Sequence, residues 1–451
     1  MTGLRGLGAV QEMPPRARRL VAINAINAAG SGVVLPLLVV YLYEVRDLPL
    51  SVATGTVAAT SVGALVGAPV IGWLSDRVGR VPALWVALVC SAAGAVGLAF
   101  SATASAALLS GVVQGLGIGG AIVWNALIAE LVPDQYWPVL FSVDFAVVNA
   151  MMGLGGLAGG LVAGLLDSLV AFQVLYVVDG LSFLLTGLLV VRELRHQPGG
   201  SPSAPPDAPD PPVDLERGAA RGGYLEVLRH RWMLALLVAV LVLFTLGYSQ
   251  LNSGMPAVVL EGSRLGATEL GLMFAANTTA VVVVQILLLS RLKHLTPRRA
   301  FALLGACWAG FWLLVLGVLG VGGGLVAVAV GLLAMAVFAL GESLLAATGP
   351  TLVNTWADDH NRGRFNAAYG FTSSLGFAVG PVLSGVLVER GHAVPMVLVF
   401  AVGLSLLAAV ALRSSALPDL PLERLEQDGH HPGSTGPSSP DDPTTNEGAR
   451  P

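Results

Sequence analysis

Gly72-Trp73-Leu74-Ser75-Asp76-Arg77-Val78-Gly79-Arg80-Val81-Pro82 is the stretch on which the fold turns. It sets an acid, two arginines, a glycine and a proline between two apolar runs, roughly 52–74 and 82–101. Each run is long enough to cross ~30 Å of hydrocarbon as a helix. The charged stretch between them is then a tight turn at a membrane surface. Composition agrees: of 451 residues 55% are hydrophobic and only 12% charged, against ~25% charged in ordinary soluble chains. A water-soluble domain of this size is excluded.

Working outward, apolar runs recur at roughly 20–43, 52–74, 82–101, 105–131, 139–166, 169–191, 232–260, 268–290, 300–321, 325–350, 365–388 and 393–413. They lack the ~10-residue alternation of membrane β-strands. In lipid the backbone must satisfy its own hydrogen bonds, so runs of this length are helices. The fold class is therefore all-α integral membrane, with twelve transmembrane helices in two six-helix bundles. The expected division is an N-terminal segment 1–19, a first bundle 20–192, a linker 193–230, a second bundle 231–413 and a tail 414–451. Residues 197–212 of the linker are too rich in proline and too poor in apolar residues to fold, and the tail from about 417 is expected to be disordered apart from a short helix near 422–427.

Charge sets the orientation. With the N-terminus inside, all but three of the 24 basic residues fall on the cytoplasmic side; the outer loops keep Arg46, Arg264 and Arg390. Both termini are expected in the cytoplasm. A weak internal repeat links the halves. The fifth span carries Gly155-Gly156-Leu157-Ala158-Gly159-Gly160 and the eleventh Gly380-Pro381-Val382-Leu383-Ser384-Gly385, each after an acidic turn, Pro133-Asp134-Gln135 and Asp358-Asp359-His360. Paired halves of this kind suit a machine that rocks around a midplane site.

Several chemistries lack their residues. Lys293 is the sole lysine and sits in no Gly-rich loop, so no Walker A site is expected. Neither His-Glu-x-x-His nor Gly-x-Ser-x-Gly occurs, and the seven histidines do not cluster in the spans. Cys90 and Cys307 both lie in apolar runs, which argues against a disulfide scaffold and a Cys-rich metal site. No basic block points to nucleic acid, and nineteen mostly polar residues before the first span do not read as a signal peptide. No cofactor, no metal and no enzymatic activity are expected.

The Gly72–Pro82 stretch resembles the signature loop of the major facilitator superfamily, Gly-x-Leu-(Ala/Ser)-Asp-Arg-x-Gly-Arg-(Lys/Arg)-Pro, at every position except Val81. Twelve spans in a six-plus-six layout extend the resemblance over about residues 20–413. It implies a secondary transporter whose first, fourth, seventh and tenth helices line a central cavity. It also implies that Gly72, Asp76, Arg77, Gly79 and Arg80 form a gating loop, Asp76 meeting the start of helix 11 when the outside is open. A glycine at 72 would let helix 2 pack closely, and Glu130, at the inner end of helix 4, is placed to pair with Arg77 or Arg80. In the second half Arg291 stands where Asp76 would fall, so the latch is asymmetric.

Within the superfamily the pattern is nearest to bacterial drug:proton antiporters. At their helix 5 motif, Gly-x-x-x-Gly-Pro-x-x-Gly-Gly, this chain has Met151, Gly155, Gly156, Gly159 and Gly160, with Gly156 in the proline position; helix 11 is the better match with Gly376, Gly380, Pro381, Ser384 and Gly385. Gln114-Gly115 of their helix 4 motif is present, with Gly111 in place of its arginine. Arg364-Phe365 and Gly341-Glu342 are similar to the same exporters.

Ionisable groups inside a bilayer mark function by default. Asp179 near the midplane of helix 6, Glu342 two-thirds along helix 10 and Asp144 near the inner end of helix 5 are the candidates for carrying a proton. Asn24, Asn27 and Ser31 share one face of helix 1, as do Gln114 and Asn125 in helix 4. Tyr248, Gln250 and Asn252 in helix 7, Asn277 in helix 8 and Tyr369 in helix 11 complete the cavity candidates. Pro36, Pro69, Pro256 and Pro350 are expected to kink their helices. No Arg or Lys lies in a span, so an anion site is not indicated. The expected activity is proton-coupled export of small amphipathic or lipophilic compounds by alternating access. The alternative is an uptake symporter or facilitator of a neutral metabolite, and the remote one a membrane-embedded enzyme or sensor. Expected partners are the substrate, protons and the lipid bilayer of the cell membrane, with the protein a monomer.

Overall fold

The computed structural model describes residues 13–166, 168–195, 230–287, 294–356 and 362–414, with 417 and 421. The expected disorder of the linker and tail, the second-half turn at Arg291 and the acidic turn at 358–360 lie outside the described residues. Among the described residues, twelve helices are long and apolar enough to cross a membrane: α1 Pro15–Val45, α2 Leu50–Val78, α3 Arg80–Ala99, α4 Ala104–Leu131, α5 Val139–Leu166, α6 Leu169–Leu194, α7 Arg231–Asn252, α8 Ala267–Gln285, α9 Pro297–Val321, α10 Gly324–Asn354, α11 Gly363–Glu389 and α12 Ala393–Arg413. The loops alternate between two faces. One collects the α2–α3 turn and the described ends at 13 and 414, and is called the arginine-rich face; the other is the opposite face.

Two six-helix bundles follow from the contacts. In the first, α1 packs on α5 and α6, α2 on α4, and α3 on α4 and α6; in the second, α7 packs on α11, α8 on α10, and α9 on α10 and α12. Without a hydrophobic force between helices in lipid, close approach depends on small residues. Gly155 and Gly159 of α5 abut the α1 backbone at Ala29 and Val33. Gly376 and Gly380 of α11 abut α7 at Phe244, Thr245 and Ser249 in the same way. The same four-residue spacing thus joins the equivalent helix pair in each half, the physical content of the repeat.

The bundles meet along α5–α8 and α2–α11. A Cβ on Gly160 would lie 2.9 Å from Gly271 Cα of α8, and one on Gly385 would strike Thr54 of α2. Both contacts lie toward the opposite face.

The four prolines sit in different settings. Pro69 and Pro350 sit inside continuous helices. Pro36 lies in a 3-10 segment, Leu35–Leu37, that interrupts α1. The seventh span is not one helix: it runs Arg231–Leu246, passes through a 3-10 turn Tyr248–Asn252 and restarts as Gly254–Gly262. The break is at Gly247 and Ser253, not at Pro256. Pro256 falls in the first turn of the restarted helix, where a missing N–H costs nothing. The freed Leu246 carbonyl accepts from Trp312 Nε1 at 2.7 Å, and the Thr245 carbonyl from Gln250 Nε2 at 2.6 Å. Helix α4 is likewise interrupted, at Gly119-Gly120.

Candidate functional site

A cavity of about 430 Å³ lies mainly within the first bundle. It is lined from α1 by Asn24, Asn27 and Ser31, from α4 by Gln114 and Trp124, and from α6 by Tyr176, Asp179 and Thr186. Residues of α2, α3 and α5 fill the rest of that wall, and Ser249, Asn252 and Phe377 of the second bundle close it. The three interrupted helices α1, α4 and α7 all contribute. Irregular backbone in a membrane is tolerated where it lines such a space.

The cavity departs from the expected α1, α4, α7, α10 lining. No α10 residue reaches it, whereas α3 and α6 do. Of the expected cavity residues, Asn24, Asn27, Gln114 and Asn252 line it; Asn125, Tyr248, Gln250, Asn277 and Tyr369 do not. Asn125 was expected on one face with Gln114. The Gly119-Gly120 break lies between them, and Asn125 is exposed while Gln114 is buried. Gln250 turns back onto its own helix, and Asn277 donates to the Met335 carbonyl at 3.5 Å.

Asp179 is the charged chemistry of this cavity. Its side chain is fully buried, with Ser31 Oγ donating to Oδ1 at 3.1 Å and Gln114 Nε2 to Oδ2 at 3.5 Å. No Arg, Lys or His lines the cavity. Around the same space Asn27 Oδ1, Trp124 Nε1, Tyr176 OH, Thr186 Oγ1 and Asn252 Oδ1 are buried without a protein partner. Buried polar atoms are normally satisfied, so this wall offers donors and acceptors to whatever occupies the cavity.

The other two acids are separate. Asp144 sits on the first bundle nearer the arginine-rich face, held by Asn24 Nδ2 at 3.0 and 2.9 Å from its two oxygens. Asn24 precedes Ser31 by seven residues on α1, so the two carboxyl groups are about 10 Å apart along that helix at ~1.5 Å per residue. Glu342 lies in the second bundle, where Tyr248 donates to it at 2.9 Å. Tyr248 is packed among Phe244, Phe377, Trp308 and Phe338.

The gates are asymmetric. On the opposite face Tyr43 of α1 donates to Glu261 at 2.8 Å, and the Ser51 amide at the start of α2 donates to Glu389 of α11 at 2.8 Å. Together with Gly160–Gly271 and Gly385–Thr54 these join the two bundles. The arginine-rich face differs at two glycines. A Cβ on Gly72 or on Gly370 would meet nothing within 4 Å. The expectation that Gly72 brings α2 close to a neighbour is thus not met in this conformation, and Asp76 is exposed with no partner among the described residues. The signature loop is instead tied within its own bundle: Arg80 bonds Glu130 at 2.7 Å and the Ala126 carbonyl at 2.7 Å, while the Arg77 guanidinium lies 4.3 Å over the Trp73 ring. Gly79 makes the turn with φ of 91°, the left-handed region where a side chain is strained.

Sequence reading missed Tyr43, Glu261 and Glu389. Acids at span ends look alike whether they only mark the interface or bridge two bundles, so no sequence signal separates them.

The family profile described as Major Facilitator Superfamily matches residues 20–338 and 264–439. An uncharacterized MFS-type transporter, YqjV of Bacillus subtilis, is 24% identical over 407 residues, covering 88% of this chain and 92% of that protein. A class H tetracycline resistance protein of Pasteurella multocida is 26% identical over 183 residues, 40% of this chain and 44% of its own. Among solved structures, an auto-inhibited POT family peptide transporter superposes with a TM-score of 0.69 at 17% identity, covering 88% of this chain and 96% of that one. A D-xylose-proton symporter does so with 0.67 at 16%, covering 92% and 99%.

Proposed function

The chain belongs to the major facilitator superfamily as a secondary transporter, and on that premise we propose that it exports small amphipathic or lipophilic compounds in exchange for protons. The observation that carries this reading is Asp179, fully buried on the wall of a cavity lined by no basic side chain. An ionised carboxylate in such a place is costly unless a cation or a proton accompanies it. One group that accepts either, but not both, is the minimum needed to make substrate and proton compete. The remaining wall, largely apolar with Trp124, Tyr176 and Phe377 and a few uncharged polar groups, suits a neutral or cationic lipophilic molecule better than an anion.

In this reading the arginine-rich face is cytoplasmic, and the conformation described is the one that loads substrate from inside. Opening the Tyr43–Glu261 and Ser51–Glu389 contacts while the signature loop closes, Asp76 against the start of α11, would expose the cavity to the outside. A proton taken there by Asp179 releases the substrate. Similarity to a tetracycline resistance protein and to a D-xylose-proton symporter supports drug substrates and proton coupling respectively.

The test is proton movement in proteoliposomes carrying an internal pH dye, challenged with lipophilic cations and neutral antibiotics. Wild type is compared with Asp179→Asn and Glu342→Gln. Coupled proton flux lost in Asp179→Asn supports the reading. Substrate crossing without proton movement, unchanged by both substitutions, overturns it and leaves a facilitator of neutral compounds.

A further inference from the structure

A second recess lies on the flank of the second bundle, between α7, α9 and α12 near the arginine-rich face, with a volume of about 420 Å³. Its walls are apolar, with Leu234, Val238, Phe301 and Val410 among them. Leu234, Val238 and Val410 are exposed, so the recess opens sideways on the flank of the bundle among apolar side chains. An acyl chain fits a slot of this size, whereas a helix ~10 Å across does not.

The rim is cationic. Arg231 lines the recess and is exposed, with no ion pair among the described residues. Arg413, also exposed, lies between Ala411 and Ser414, which both line it.

The first bundle shows what is missing here. There Arg19, near the start of α1, is held by Glu193 at the end of α6 through two bonds of 2.8 Å. By the internal repeat α7 corresponds to α1 and α12 to α6. Yet α12 ends Ala411-Leu412-Arg413-Ser414, and among the described residues no acid pairs with Arg231. One half closes this position with its own carboxylate; the other leaves Arg231 on an apolar slot, with Arg413 next in sequence to the lining residue Ser414.

We propose that this recess binds an anionic phospholipid from the leaflet on the arginine-rich face, with one acyl chain in the slot and the phosphate held by Arg231 and Arg413. Basic side chains near an anionic membrane surface favour such lipids by about fivefold each, hence roughly 25-fold for the pair.

Native mass spectrometry of the full chain released from mixed phosphatidylglycerol and phosphatidylcholine membranes tests it. Retention of phosphatidylglycerol over phosphatidylcholine by roughly tenfold or more, lost in the double variant Arg231→Gln/Arg413→Gln and reduced in Val238→Trp, which fills the slot, is the expected result. Both substitutions face outward, and unchanged thermal stability in detergent separates loss of lipid from loss of fold. Equal retention of the two lipids, or retention that survives the double variant, overturns the proposal. So does glycerol phosphate alone competing as well as the whole lipid, since the site would then read only the anion. If lipid is retained only after residues 418–451 are removed, the tail fills the recess and the proposal also falls.

Discussion

The Tyr43 hydroxyl of α1 donates to Glu261, in the helix that continues α7, at 2.8 Å. It thereby joins, on the opposite face, the ends of the two helices that the internal repeat makes equivalent. With the Ser51–Glu389 bond it forms the polar part of the closed gate, and each bond has one partner in each bundle. Tyr43→Phe combined with Glu389→Gln should therefore favour the conformation open to the opposite face. Hydrogen bonds to charged groups contribute about 1.5–3 kcal/mol when protected and less when exposed. A roughly threefold to tenfold faster reaction of Leu38→Cys, in a Cys90→Ser background, with an impermeant maleimide added on that face is expected. An unchanged rate would show that the glycine contacts alone hold the gate.

Those glycine contacts come in two kinds, and substitution should tell them apart. Gly271→Val forces a side chain against Gly160 and the Gly156 carbonyl across the bundle interface. It should reduce transport and increase labelling from the opposite face while the melting temperature barely moves. Gly159→Val pushes into Val33 within the first bundle, a contact that does not cross the bundle interface. There a cost of about 1–3 kcal/mol should appear directly as a lower melting temperature.

Asp179→Asn keeps the acceptor for Ser31 and nearly the same volume while removing a buried charge. Unlike most polar substitutions in a core, it should leave the protein as stable as wild type or more stable by about 1–2 kcal/mol, as read by thermal unfolding in detergent. A large fall in stability would mean that the carboxylate is a structural anchor, and its role in coupling would go with it.

Asp76 and Arg80 belong to one loop but should behave differently. Arg80 pairs with a half-exposed Glu130, an interaction worth about 1 kcal/mol or less, so Glu130→Gln should cost little stability. Asp76 has no partner among the described residues, so Asp76→Asn should leave the melting temperature untouched. A severalfold fall in transport with unchanged stability places its contact in the other conformation; full transport would remove it from the gate.

The α7 break rests on Trp312, whose indole N–H satisfies the Leu246 carbonyl at 2.7 Å. Trp312→Phe leaves that carbonyl unpaired in an apolar interior, which costs about 1–3 kcal/mol. The loss should show in thermal unfolding, with hydrogen exchange rising around Gly247–Ser253.

Much of this architecture was legible in the residues themselves. Twelve apolar runs need no partner to be read, because lipid leaves a backbone only the helix, and that condition acts within each segment. The Gly155/Gly159 and Gly376/Gly380 spacings likewise announced two equivalent helix contacts. The site was legible only in part. Asp179, Asn24, Asn27 and Gln114 stand out as polar residues in apolar runs, but their sharing one cavity depends on α1, α4 and α6 being brought side by side. Asn125 was misplaced because the Gly119-Gly120 break separates it from the face of Gln114. Glu342, on helix 10 of the second bundle as expected, meets Tyr248 of α7 and does not line the cavity. The gate acids Glu261 and Glu389 carry no local mark at all. What the sequence by itself determined is what each segment must do to survive in lipid. Which polar groups meet, and which face is closed, only the packing of the two bundles decided, because a contact between helices belongs to both surfaces and is written in neither alone.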